Sequence, residues 1–189
     1  MNRVMIVGLI IVLILVVVIA GVGVITLDVM SYTATGSETL SPSGTSVGHA
    51  LVVYNPGVSG EAKSAAVKIA SDLKAKGYKV ELAGVRSATA ANTSSYDIII
   101  AGGPMYFGKV SSSIEAYLRA ITLQNDTKLG AFATTGSSQF NDNDIASFGK
   151  QVTSLLGNSP QGKNVVIRVI RAGDSSNTDC ADLVSALLQ

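Results

Sequence analysis

The sequence has little of the chemistry that most catalytic and metal sites need. Its 189 residues include one cysteine, one histidine and no tryptophan. Because Cys180 has no second cysteine to pair with, an intramolecular disulfide is excluded. His49 and Cys180 alone cannot form a cluster of metal ligands. The formal net charge is only +1, which argues against a nucleic-acid-binding surface.

A long apolar run is present at the N-terminus. Residues 4–25 consist of Val, Ile, Leu, Met, Ala and Gly, and more than about 18 such residues can cross a bilayer as a helix. We therefore predict an uncleaved transmembrane anchor over residues 1–27. A cleaved signal peptide is the alternative, since Asn2 and Arg3 form a short positive region, but its apolar core is usually only about 7–15 residues. Arg3 precedes the run and the first lysine, Lys63, comes far after it. The positive-inside rule then predicts a cytoplasmic N-terminus and an extracytoplasmic globular domain.

The rest of the chain divides into a predicted linker and a predicted folded domain. Residues 28–48 are rich in Ser, Thr and Gly without apolar periodicity, which predicts a flexible linker. From 49 to 189, short apolar runs alternate with amphipathic segments. The predicted strands are 49–55, 78–85, 96–103, 128–135 and 163–170, and the predicted helices are 61–77, 111–121, 144–156 and 178–188.

Strands of nearly continuous apolar character that alternate with helices predict an α/β fold. We expect a doubly wound, five-stranded parallel sheet covered on both faces. The connection 86–95 has no apolar face and is predicted to be a loop with a short turn of helix.

Three stretches follow predicted strands at the edge where open α/β sheets bind ligands. In the first, residues 54–62, glycines allow a tight loop and a helix N-terminus follows, which indicates an anion site for a phosphate. An ordinary strand-to-helix turn is the alternative. The candidate residues here are Asn55, Gly57, Val58, Ser59, Gly60, Glu61 and Ala62.

The second stretch is AGGPMYFGKV, residues 101–110. Gly102 and Gly103 would let a flat ligand approach the backbone, and an aromatic side chain on the loop could stack on a planar ring. The alternative is that both aromatics fold beneath the loop as part of the core. The candidate residues are Pro104, Met105, Tyr106, Phe107 and Gly108.

The third stretch, residues 133–144, leaves the fourth predicted strand with small polar residues. Thr134, Thr135 and Gly136 are the candidates, because small hydroxyl side chains at a strand end can hydrogen-bond a heterocycle. The alternative is a solvated loop that caps the next helix.

The stretch YDIIIAGGPMYFGKVSSSIEAYLRAI, residues 96–121, resembles the flavodoxin-like family. Gly102, Pro104, Tyr106 and Gly108 match that family's Gly-x-Pro-x-aromatic-x-Gly loop, and the resemblance extends from residue 50 to the C-terminus. It implies strand order 2-1-3-4-5 and a non-covalently bound FMN, with the loop at 102–108 beside the isoalloxazine ring. Residues 128–138 resemble the next strand and the loop at the flavin edge.

The first stretch departs from the family's phosphate loop, which reads Ser/Thr-x-Ser/Thr-Gly-x-Thr. Ser59 and Gly60 match it, but Gly57 and Ala62 lack the hydroxyl groups. Glu61 adds a carboxylate near the expected phosphate dianion, and like charges repel. We therefore expect FMN binding to be weakened or lost.

The leading interpretation is a membrane-anchored domain that binds FMN and transfers electrons to a membrane-associated redox or protein partner. In such a protein the chain holds and tunes the flavin and supplies no catalytic residue of its own. Two alternatives remain: a cofactor-free flavodoxin-like interaction module tethered to the membrane, and a flavin-dependent quinone-type reductase. The bilayer would be a partner through residues 4–25, and no nucleic-acid partner is expected.

Overall fold

The computed structural model describes residues 3–29, 34–124, 126–135, 142–156, 165–171 and 178–189. The helices are α1 Arg3–Val29, α2 Glu61–Ala75, α3 Ala88–Ala91, α4 Ser112–Ala120, α5 Asp142–Leu156 and α6 Thr178–Leu188. The strands are β1 Ser37–Leu40, β2 Gly48–Tyr54, β3 Tyr78–Gly84, β4 Ile98–Tyr106, β5 Lys109–Val110, β6 Lys128–Thr135 and β7 Val165–Arg171.

The sheet is mostly parallel and has the order β1-β3-β2-β4-β6-β7, with β5 paired to β4. Strands β3, β2, β4, β6 and β7 are parallel neighbours, so the five predicted strands have the expected order 2-1-3-4-5. The predicted count of five is wrong. In the described residues the sheet has seven strands and is mixed, because β1 and β5 pair antiparallel with β3 and β4.

Strand β1 lies inside the segment predicted to be a flexible linker, residues 28–48. It adds to the free edge of β3 through backbone hydrogen bonds. The pairing continues before the strand, where the N–H groups of Gly84 and Arg86 donate to the carbonyls of Gly36 and Ala34, both at 2.8 Å. Ala34 is only 4% exposed. A segment without apolar periodicity is therefore ordered by strand pairing.

The core lies on both faces of the sheet because the central strands are apolar on both sides. Ile98 and Ile100 pack into the cluster formed with α2 and α6, and Ile99 packs into the opposite cluster formed with α4 and α5. All three are fully buried, and burial of such a side chain contributes about 1.5–3 kcal/mol. Strand β4 therefore lies at the centre of the domain, because it contributes to both core clusters.

The segment between β3 and β4 contains only the single turn α3, as expected for residues 86–95. Its N-cap is Ser87, whose hydroxyl accepts a hydrogen bond from the N–H of Ala90 at 3.1 Å. This cap satisfies one donor of a helix that has little apolar surface to bury.

Within the part of the chain that the structure describes, one helix is long and apolar enough to cross a membrane. The candidate span is Met5–Gly23 within α1, with a mean hydropathy of 3.4 and no part of it buried against the rest of the chain. By length and composition it is a candidate membrane span, and a signal sequence near an N-terminus has the same properties.

Candidate functional site

The first loop, residues 55–60, connects β2 to α2 at the edge where the parallel strands end, which we call the carboxyl edge. Gly57 and Gly60 have φ values of 69° and 76°, a conformation that favours glycine. Asn55 is fully buried. Its side-chain oxygen accepts from the Gly57 N–H at 3.1 Å, and its amide donates to the Ser113 hydroxyl at 3.0 Å. Asn55 therefore holds the loop against α4 and has no surface for a ligand.

Other backbone donors of this loop are also bonded within the protein. The N–H of Val58 donates to the hydroxyl of Tyr106 at 3.2 Å. The N–H of Glu61 donates to the Ser59 hydroxyl at 3.4 Å, and the N–H of Gly60 donates to a carbonyl of the loop at 3.2 Å. A phosphate would have to displace these acceptors to bind here.

The helix that follows starts with a carboxylate. Glu61 is the first residue of α2 and is half-buried, while the N-cap Gly60 offers no side chain. An acidic residue in the first turn complements the helix dipole that would otherwise attract an anion. Ala62 is 1% exposed and belongs to the core, so this candidate lies away from any ligand surface. Lys63 is exposed in the same turn.

The second stretch is a β-hairpin, which we call the hairpin and define as residues 104–110. Strand β4 does not end at the glycines as predicted but continues to Tyr106 and returns as β5. Phe107 and Gly108 form the turn with φ values of 51° and 76°, the pattern of a type I′ turn. Phe107 is fully exposed, at 105%. A bulky residue with positive φ is an outlier, and such strain clusters at functional sites.

Gly102 and Gly103 do not present their backbone to a ligand, so that prediction is wrong. Both are buried. A Cβ atom on Gly102 would lie 2.3 Å from Cδ1 of Phe132, and one on Gly103 would lie 3.0 Å from the side chains of Asn55 and Ile114. These glycines allow close packing within the protein.

The hairpin is held by contacts that no sequence pattern indicated. The side chain of Gln151 donates to the Gly108 carbonyl at 2.6 Å and accepts from the Val110 N–H at 3.2 Å. Gln151 is 41 positions from Val110, which is why local patterns missed it. A Cβ atom on Gly57 would lie 3.0 Å from Cγ of Pro104, so the hairpin packs directly on the first loop.

The third stretch reaches the same edge through β6. Thr134 is 5% exposed and pairs with Pro104 of β4, while Thr135 is half-buried at the strand end. Gly136 lies outside the described residues. The first loop, the hairpin and the end of β6 therefore share the carboxyl edge. In the hairpin, Met105 and Tyr106 are half-buried.

Comparison with known protein families assigns the chain to a family. The family model described as a flavodoxin domain matches residues 51–173, more than half of the chain. The chain belongs to the flavodoxin domain family. Comparison with curated protein sequences found no match.

Solved structures share the fold of this flavodoxin domain. Oxidised flavodoxin 2 from Bacillus cereus is 18% identical, with a TM-score of 0.57, over 74% of this chain and 97% of that chain. Two-electron reduced flavodoxin from Megasphaera elsdenii is 19% identical, with a TM-score of 0.52, over 73% and 97%. The apo form of an NADH:FMN oxidoreductase is 14% identical, with a TM-score of 0.55, over 75% and 84%. At these identities the likeness establishes the fold alone.

A groove of about 630 Å³ lies on the other side of the hairpin of this flavodoxin domain, between the hairpin, α4 and α5. Its charged residues are Lys109, Lys150, Arg119 and Glu115, and the last two form an ion pair at 2.8 Å. No residue of the first loop lines it. The groove is therefore separate from the candidate cofactor edge, although Phe107 borders it.

The tyrosines with raised pKa values lie outside these three stretches. Burial raises the pKa of Tyr117, and the neighbouring Tyr96 raises it further. Burial and then the charge of Glu81 raise the pKa of Tyr96. Neither supplies an acid or base to the candidate site. Among the described residues, no group of three or more His, Cys, Asp or Glu side chains could hold a metal ion.

Proposed function

We propose that this flavodoxin domain binds FMN at the carboxyl edge, with weakened affinity, and transfers electrons to a partner at a membrane that α1 spans. The observation that carries the proposal is the hairpin. In a chain of the flavodoxin domain family, the hairpin packs on the first loop through Pro104 and Tyr106, and Phe107 at its tip is exposed at positive φ. When bound, FMN supplies the redox chemistry, and the protein binds and orients it.

The residues that would contact the isoalloxazine ring fit FMN better than the residues that would contact its phosphate. The half-buried side chains of Met105 and Tyr106 offer partly apolar surface on the hairpin. The half-buried Thr135 at the end of β6 offers a hydroxyl group at the same edge. These three side chains would border the ring and set how much of its edge is exposed to a partner.

The phosphate end would bind only after local rearrangement. The N–H groups of Val58 and Glu61 would have to leave the hydroxyl groups of Tyr106 and Ser59. The Glu61 carboxylate would also repel a phosphate dianion. The exposed Lys63 offsets part of that repulsion. These features support weak FMN binding.

A second candidate function is a cofactor-free interaction module on the membrane. The hydrogen bond from Val58 to Tyr106 favours it, because the bond ties the two halves of the cofactor edge together without a ligand.

The test is a titration of the full chain in detergent with FMN and, separately, with riboflavin, followed by quenching of flavin fluorescence. Saturable binding of both would support the flavin site. Replacing Glu61→Gln is expected to tighten FMN by about fivefold to tenfold, for about 1–1.4 kcal/mol of removed repulsion, with riboflavin unchanged. Glu38→Gln, on the exposed strand β1, is the matched control and should change neither. Failure to bind either flavin would leave the interaction module as the function.

Anchoring is tested separately from flavin binding. The full chain is expected to float with lipid vesicles and to resist alkaline extraction, whereas a fragment starting at residue 31 should not. This fragment keeps Ala34 and β1, which pair with the domain. Extraction of the full chain would rule out the anchor and leave the flavin titration unaffected.

A further inference from the structure

Strand β1 fixes where α1 is tethered to the domain. Helix α1 ends at Val29, and Ala34 is already docked on the domain with its carbonyl bonded to Arg86. Only residues 30–33 lie between these two points. Fully extended, the chain from Val29 to Ala34 spans at most about 18 Å. The tether is therefore much shorter than the predicted linker of residues 28–48.

The tether leaves the domain at the carboxyl edge. Ser37 pairs with Ala83 and Leu40 pairs with Val80 in antiparallel register, so the chain before Ser37 runs past the carboxyl end of β3. Strands β3, β2 and β4 are parallel. The tether, the first loop and the hairpin therefore all project from the same edge.

The hairpin projects beyond the strand ends by a distance that the tether can match. From β1 to β4 there are three strand spacings, about 15 Å. Tyr54 pairs with Gly102, so β4 extends four residues, about 13 Å, beyond the end of β2. Ala34 lies about 7 Å beyond the end of β3, and the chain from Val29 to Ala34 can span at most about 18 Å more. The tip of the hairpin therefore lies within the height that the end of α1 can reach.

Half of the exposed large hydrophobic side chains in the described residues after α1 lie at this edge. In the described residues after α1, the exposed large hydrophobic residues are Val47, Val58, Val67, Phe107, Ile145 and Val165. Val58, Phe107 and Ile145 come from three separate segments that each follow a parallel strand: the first loop, the hairpin and the first turn of α5. Lys109 is exposed beside Phe107.

We propose that the carboxyl edge of this domain docks on the bilayer that α1 spans, with Phe107 in the headgroup region and Val58 and Ile145 beside it. The proposal rests on the anchoring part of the proposed function. Exposed phenylalanine and aliphatic side chains can insert at the boundary between headgroups and acyl chains, and a lysine there is attracted to anionic headgroups. A partner of the candidate cofactor edge would then have to reach it from within or along the membrane.

The experiment uses the full chain in vesicles of phosphatidylcholine and phosphatidylglycerol that carry nitroxide-labelled lipid. A fluorophore is attached through Lys109→Cys, which removes the headgroup attraction of that lysine but keeps Phe107, Val58 and Ile145, in a Cys180→Ala background. The matched control is a fluorophore on Val47→Cys, which is exposed immediately before β2, about 23 Å along the strand direction from the carboxyl edge. We expect severalfold greater quenching at position 109 than at position 47.

Phe107→Ser in the Lys109→Cys chain should remove most of that difference, because the apolar anchor is lost while the tether remains. Equal quenching at both positions, in a chain that floats with the vesicles, would overturn the docking proposal and leave the anchor intact. A chain that does not float would overturn both. Flavin binding is measured independently in detergent, so its failure is distinguishable from either result.

Discussion

The first loop and the hairpin lie side by side at the same edge but are built in opposite ways. In the first loop, Asn55 is fully buried and the N–H of Val58 is bonded to Tyr106, so the loop is satisfied by the protein itself. In the hairpin, Phe107 is fully exposed at positive φ and gains nothing from packing. The loop that departs from the family pattern is internally bonded, and the loop that matches the pattern keeps an exposed, strained residue.

The difference lies in what holds each region in its conformation. Backbone strain of this kind costs about 1–3 kcal/mol and persists only where something outweighs it. In the hairpin, the bonds from Gln151 to Gly108 and Val110 hold the turn in place. The hairpin tip is therefore the part of this edge that the protein leaves most exposed, and the first loop packs beside the hairpin through Gly57 and Val58.

The largest expected effect is on the packing behind the hairpin. Gly102→Ala would place a Cβ atom 2.3 Å from Cδ1 and 2.4 Å from the backbone carbonyl oxygen of Phe132, so we expect a loss of about 3 kcal/mol in the free energy of unfolding. Urea denaturation measures it. Gly108→Ala, at the open tip with φ of 76°, is the control and should cost only about 1–2 kcal/mol. Equal losses would mean that Gly102 is not packed as described.

The next largest effect is expected at Asn55, which holds the first loop in place. Asn55→Ala removes the acceptor of the Gly57 N–H and the donor to Ser113, and both partners lie in buried or half-buried surroundings. We expect a loss of about 2 kcal/mol in the free energy of unfolding, measured by urea denaturation. Asn92→Ala removes an exposed amide whose oxygen accepts from the neighbouring Ser94 at 3.0 and 3.4 Å, and should cost less than half of that. A neutral Asn55→Ala would contradict the supporting role of this residue.

Much of the fold could be predicted from the sequence because it depends on local apolar periodicity. The five parallel strands and the helices around them follow from such patterns. Strand β1 could not be found this way, since its four residues are held by backbone pairing with β3. The surroundings of Gly102 depend on Phe132, which comes from the neighbouring strand. The positions of Gln151 and Tyr106 likewise depend on contacts over more than 40 residues.

A smaller effect, of opposite sign, is expected at the hairpin tip. Phe107→Asn should stabilise the domain by about 0.5–1 kcal/mol, because asparagine tolerates positive φ and no packing is lost. Phe107→Val is the control and should destabilise, since β-branched residues strongly disfavour this conformation. The midpoint of urea unfolding gives both values. If asparagine destabilised the domain, Phe107 would be making contacts that its exposure does not indicate.

The smallest expected effect tests the bond that joins the two regions. Tyr106→Phe removes the hydroxyl that accepts from Val58, which frees this N–H for a phosphate. Since a hydrogen bond contributes about 1 kcal/mol net, FMN should bind up to about fivefold more tightly relative to riboflavin. Tyr78→Phe, at the start of β3 on the opposite edge, should leave the affinity for FMN relative to riboflavin unchanged. If Tyr106→Phe lowered this relative affinity, the hydroxyl itself would bind the phosphate, and the hairpin would then hold both ends of the cofactor.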